Sequence, residues 1–86
     1  MTKEEYLILQ KHQNSLIKYI RHQSNIIDYF ADYRKEDCGY MVPRGVVVAC
    51  DMKTLRKLQK HTQRYYPDME VTEMGIATYI LHMEKT

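Results

Sequence analysis

The chain has 86 residues, 44% of them hydrophobic and 28% charged, with a formal net charge of +2 at pH 7. That length allows one hydrophobic core and excludes two, and the composition excludes wholesale disorder. Cys38 and Cys50 are too few for a disulfide framework, and no paired Cys/His spacing suggests zinc, so neither metal nor cofactor is expected.

The first residues, MTKEEYLILQKHQ, hold only a four-residue apolar run, which predicts neither a signal peptide nor a membrane span. With two cysteines expected as free thiols, the expected compartment is the cytoplasm. A core this small is often supplemented by self-association, so a homodimer is expected.

Residues 3 to about 33 contain no Gly or Pro and read as one long helix. Tyr6, Leu9, Gln13, Leu16, Ile20, Gln23, Ile27 and Phe30 follow alternating spacings of three and four. The two glutamines occupy positions where a buried amide can set register. Ile17, Tyr19, Ile26 and Tyr33 widen the apolar face, which favours a helix packed on its own domain or on a partner over a free coiled coil.

A polar loop with Gly39, Pro43 and Gly45 follows, then a β-branched run at 45–50 that reads as a short strand. Asp51 suits the N-cap of a helix over about 52–66, ended by Tyr66-Pro67. Thr72 suits the N-cap of a last helix over about 73–84, expected to be the most buried element. The expected fold is therefore mainly α, one domain over 1–86, with a helical extension (1–38) before a strand–helix–helix module (44–86). No internal sequence repeat is visible.

Charge is unevenly distributed. Residues 1–33 carry four basic and four acidic side chains, 34–67 carry eight and three, and 68–86 carry one and four. Lys53, Arg56, Lys57, Lys60 and Arg64 fall on one arc of a helical wheel, with no acid between Asp51 and Asp68. Such a face forgoes stabilising Glu–Lys pairs and accepts like-charge crowding, which an anionic partner would relieve. A merely solvated helix face is the structural alternative.

Enzyme signatures are missing: there is no G-x-S-x-G, P-loop or HExxH, and the three glycines are scattered. His12, His22, His61 and His82 are spaced as ordinary surface or partly buried histidines. No catalytic residue is expected.

The order of strand, Asp-capped amphipathic helix and Thr-capped apolar helix from Arg44 to about Glu84 resembles the ribbon-helix-helix (MetJ/Arc-like) superfamily. The resemblance implies an obligate dimer in which two strands pair and enter the DNA major groove. It implies a shared interface of Val46, Val48, Leu55, Leu58, Ile76 and Ile80. Counting back from Asp51, Val46, Val48 and Cys50 would face the core, while Gly45, Val47 and Ala49 would face the groove. Those outward residues offer no hydrogen bonds to base edges, so the expected contacts are with phosphates. Arg44, Lys53, Arg56, Lys57, Lys60 and Arg64 would supply them, with Val47 against the groove.

The expected function is thus a small dimeric protein binding double-stranded DNA, a transcriptional regulator or accessory factor of a mobile element. The alternative is a phage- or plasmid-encoded adaptor or inhibitor that binds an acidic protein surface, with another protein held through the N-terminal helix.

Overall fold

The computed structural model describes residues 2–36, 39–64, 66–67 and 69–83. Cys38, Tyr65, Asp68 and Glu84, which figure in the sequence reading, lie outside the described residues. Along the chain the elements are α1 (Lys3–Arg21), β1 (Ile26–Lys35), β2 (Met41–Cys50), α2 (Met52–Thr62), β3 (Val71–Gly75) and β4 (Thr78–His82). The strands form one antiparallel sheet in the order β1-β2-β4-β3.

This α+β architecture overturns the mainly α expectation and, with it, the ribbon-helix-helix arrangement. The segment expected as one helix over 3–33 is a helix followed by a strand. The strand expected at 45–50 is the second half of a ten-residue strand in the middle of a sheet. The last expected helix, 73–84, is instead the β3–β4 hairpin. A dimeric ribbon needs a strand free to pair with its twin, and β2 already has β1 and β4 on either side.

α1 begins on an N-capping threonine. Thr2 Oγ1 accepts from the Glu5 N–H (3.1 Å), satisfying one of the first-turn donors that have no helical partner. It ends at the polar run His22-Gln23-Ser24-Asn25, past which Ile-Ile-Asp-Tyr-Phe favours extended backbone. α2 starts on Asp51, whose Oδ1 accepts from the Thr54 N–H at 2.7 Å, as the sequence predicts for this residue.

Topologically the chain is two α-β-β units, α1-β1-β2 and α2-β3-β4, joined through the inner strands β2 and β4. The duplication has no counterpart in sequence similarity. Both helices cover the same face of the sheet. Leu16 and Ile20 from α1, and Leu55 and Leu58 from α2, share one cluster with Val46, Val48, Cys50, Tyr79 and Leu81. The alternation counted back from Asp51 holds: Val46, Val48 and Cys50 are fully buried under the helices, and Gly45, Val47 and Ala49 face the other way.

A bulge interrupts the β1–β2 ladder between Asp32 and Tyr33, leaving Arg44 between the paired residues Pro43 and Gly45. Pro43 is tolerated there because β4 pairs with β2 only from Gly45 to Ala49, so no third strand needs its missing N–H. Gly45 is obligatory for a different reason: a Cβ at this position would run into the Leu81 carbonyl of the neighbouring strand.

Candidate anion-binding face

α2 presents a buried side of Thr54, Leu55, Leu58 and Thr62 to the sheet. That orientation turns Lys53, Arg56, Lys57 and Lys60 outward, and all four are exposed. Arg64 is exposed too, but lies just beyond the C-cap Gln63 and so extends the stripe off the helix end. None of the five makes an ion pair among the described residues. Two like-charge pairs at i, i+4 within α2 (53/57 and 56/60) together cost about 0.4–1 kcal/mol of helix stability, and Arg64 follows Lys60 just past the helix end. Asp51 at the N-cap is the nearest acid in sequence. Its carboxyl is held below the usual range, first by its hydrogen bonds to Thr54 and further by Lys53 and Lys57.

The tertiary structure adds a second helix to this surface. α1 buries Leu9, Gln13, Leu16 and Ile20 against the same sheet face, which leaves Lys11, Lys18 and Arg21 exposed. From residue 6 to residue 27 there is no Asp or Glu. Glu4 and Glu5 sit in the first turn of α1, and Asp28 and Asp32 sit on β1. Averaged over residues 1–33 the charges cancel, so a regional charge count does not single out α1. The missing acids between residues 6 and 27 were the available signal.

Lys11, Lys18, Arg21, Lys53, Arg56, Lys57, Lys60 and Arg64 thus lie on one helical layer with no acid in residues 6–21 or 52–64, while the remaining residues hold five basic and eleven acidic side chains. Apart from Glu4 and Glu5 in the first turn of α1, the Asp, Glu, Lys and Arg side chains on the two helices are all basic. Large exposed apolar residues on the helices are confined to their starts: Leu7 and Ile8 on α1, and Met52 on α2.

Between the helices runs a seam of aromatic and imidazole side chains. His12 Nδ1 hydrogen-bonds Tyr66 Oη at 2.8 Å, and the rings of Tyr19 and His61 lie 4.0 Å apart. Burial pushes both imidazoles below the usual histidine range, with Lys11 adding to the effect at His12 and Arg64 at His61. Burial also pushes the Tyr66 phenol up. The hollow that His12, Ser15, His61 and Tyr66 help to line has room for about one water, not for a substrate. Among the described residues no three His, Cys, Asp or Glu side chains are grouped to hold a metal ion. Cys50 is fully buried, with its thiol pushed up by desolvation and then by Asp51, the opposite of nucleophile activation.

Comparison with protein-family models, curated proteins and solved structures found no match. The geometry alone carries the reading.

The other residues singled out from sequence fall elsewhere. Arg44 belongs to the sheet, where its Nε donates to Asp32 Oδ2 at 2.7 Å. Val47 lies on the face turned away from the helices and is 5% exposed. Neither joins the cationic stripe. Of the residues assigned to a dimer interface, Val46, Val48, Leu55 and Leu58 pack in the chain's own core. Ile80 pairs with Val47 on the opposite sheet face, and Ile76 projects from the β3–β4 turn at 98% exposure. No helix among the described residues is long and apolar enough to cross a membrane.

Proposed function

We propose that this protein is a binding module whose helical layer holds the phosphate backbone of a nucleic acid without reading its sequence. The observation that supports this most directly is seven exposed cations on two neighbouring helices, with Arg64 just past the end of α2, and no acid in residues 6–21 or 52–64. α2 places one cation or more per turn, spaced about 5 Å along its axis. Such a row suits a repeating anion better than a single charged group. The middle of the face lacks the aromatic or aliphatic anchor that usually dominates protein–protein interfaces, which favours phosphate over an acidic protein surface. It also offers mainly Lys and Arg in a row rather than a reader positioned at base edges, which favours affinity without code.

The test is fluorescence anisotropy on a random-sequence duplex across a salt series. Neutralising Lys57, Lys60 and Arg64 together with Gln should weaken binding and make the slope of log K against log salt shallower by about 2–3. Replacing Lys11 and Lys18 with Gln should lower it further, since these residues share the layer. A scrambled duplex should bind equally well. Failure of the protein to hold heparin or duplex at low salt would overturn the reading and favour the acidic protein surface in its place.

A further inference from the structure

The sheet has two edges, and they are treated differently. β3 is five residues long, carries Glu73, and is broken by a bulge between Glu73 and Gly75. A short, charged, bulged strand is how proteins stop edge-to-edge pairing. β1 is ten residues long, with Ile27 80% and Phe30 56% exposed. One register shift lies near its start, between Ile26 and Asp28, and the other, between Asp32 and Tyr33, has its extra residue, Arg44, on β2; Asp28 to Asp32 stay in unbroken register.

A long edge with exposed apolar side chains is a template for another strand, and the charges on β1 say which one. When a strand pairs antiparallel with its own copy about a two-fold axis through one residue, facing residues lie at equal distances on either side of that centre. Only axes through Phe30 or Ala31 keep nearly the whole of β1 paired. An axis through Phe30 sets Asp28 against Asp32 of the copy, twice, and like charges directly opposite are destabilising. An axis through Ala31 sets Asp28 against Arg34 of the copy, twice, and Tyr29 against Tyr33. The two Phe30 rings then become diagonal neighbours across the axis, within aromatic reach.

We propose that a second copy of this chain docks on the β1 edge, antiparallel and centred on Ala31, to form a continuous eight-stranded sheet. Arg34 already lies 2.7 Å from Glu36, just past the end of its own strand. A guanidinium carries five N–H donors, more than one carboxylate takes up. On the face away from the helices, Ile80, Val47 and Phe30 are consecutive cross-strand neighbours. The pairing would carry this apolar row to the new interface, where each Phe30 faces Asp32 of the copy and lies diagonal to the other Phe30. Because the axis is perpendicular to the sheet, both helical layers fall on the same side and their cationic faces combine. The dimer does not depend on the phosphate reading, and it is tested without nucleic acid.

Sedimentation velocity should give twice the 10.4 kDa chain mass. Asp28→Arg should weaken the dimer about tenfold, and adding Arg34→Asp in the same chain should restore it. In a background of Cys38→Ser and Cys50→Ala, chains carrying Asp28→Cys and chains carrying Arg34→Cys should cross-link to each other on mild oxidation and not to themselves. Facing positions in antiparallel strands are close enough for a disulfide, so this readout stands even if the charge variants fold poorly. A wild-type monomer at all accessible concentrations would overturn the proposal. So would an Asp28→Arg dimer of unchanged affinity, or self-linking of the Asp28→Cys chain in place of the mixed product.

Discussion

Gln13 is fully buried, and its Nε2 donates both to the Asp32 carbonyl (3.0 Å) and to the Gly45 carbonyl (2.8 Å). Those two residues face each other at the edge of the β1–β2 bulge, so one amide ties α1 to the irregularity in the sheet. Its Oε1 accepts no hydrogen bond among the described residues, which offsets part of the gain. Gln13→Leu would leave two buried carbonyls without their side-chain donor while removing that oxygen. The expected net loss is about 2–3 kcal/mol, seen as a lower urea midpoint with unchanged slope. The periodic pattern in the sequence already marked Gln13 as an amide in an apolar seam. It could not name the acceptors, which lie 19 and 32 residues away in the chain.

At the scale of elements, the helices were legible where a cap and a period agreed. Asp51 with Leu55 and Leu58 satisfies both, whereas α1 is read from its period alone and its Thr2 cap shows only in the structure. Residues 26–33 satisfied a helical period and a strand alternation at once, since Ile27 and Phe30 fit the first and Tyr29, Ala31 and Tyr33 the second. Pairing with β2 decides the matter, and no local window contains that partner. The last segment failed for a related reason. Val71-Thr72 imitates a helix start, yet Gly75 and the run Thr78-Tyr79-Ile80 suit a hairpin. The turn between β3 and β4 places Ala77 at φ 52, in the left-handed region that costs a residue with a Cβ about 1–2 kcal/mol. Ala77→Gly should therefore raise stability by roughly 0.5–1 kcal/mol, because relief of that strain exceeds the added freedom of the unfolded chain. A thermal melt a few degrees higher would confirm it, and an unchanged or lower one would count against a strained turn.

For the whole molecule, the seam between α1 and α2 links stability to pH. His12 and His61 have folded-state pKa values below their ordinary 6.5, chiefly through burial. A depressed pKa means that the unfolded chain binds protons first as pH falls. Stability is then full above about 6.5 and declines as pH drops toward the folded-state values. Urea midpoints measured from neutral to mildly acidic pH should fall, and His12→Gln with His61→Gln should flatten that part of the profile. A midpoint constant across this window in the wild type would contradict buried neutral imidazoles. The same packing that buries these rings brings two acid-free helices together. The cationic face and the acid sensitivity thus share one structural origin.

By itself the sequence determined the Asp51-capped helix, its cationic stripe, the in-and-out alternation of residues 45–50 and the buried amide at Gln13. Each depends on residues within a turn or two of one another, where spacing and side-chain chemistry suffice. The tertiary structure alone decided that residues 26–35 and 71–82 are strands, that β2 is central, and that α1 lies beside α2. Those outcomes depend on long-range pairings and on burial of both helices against one sheet face. Only there do Lys11, Lys18 and Arg21, hidden in a neutral third of the chain, join a single charged surface.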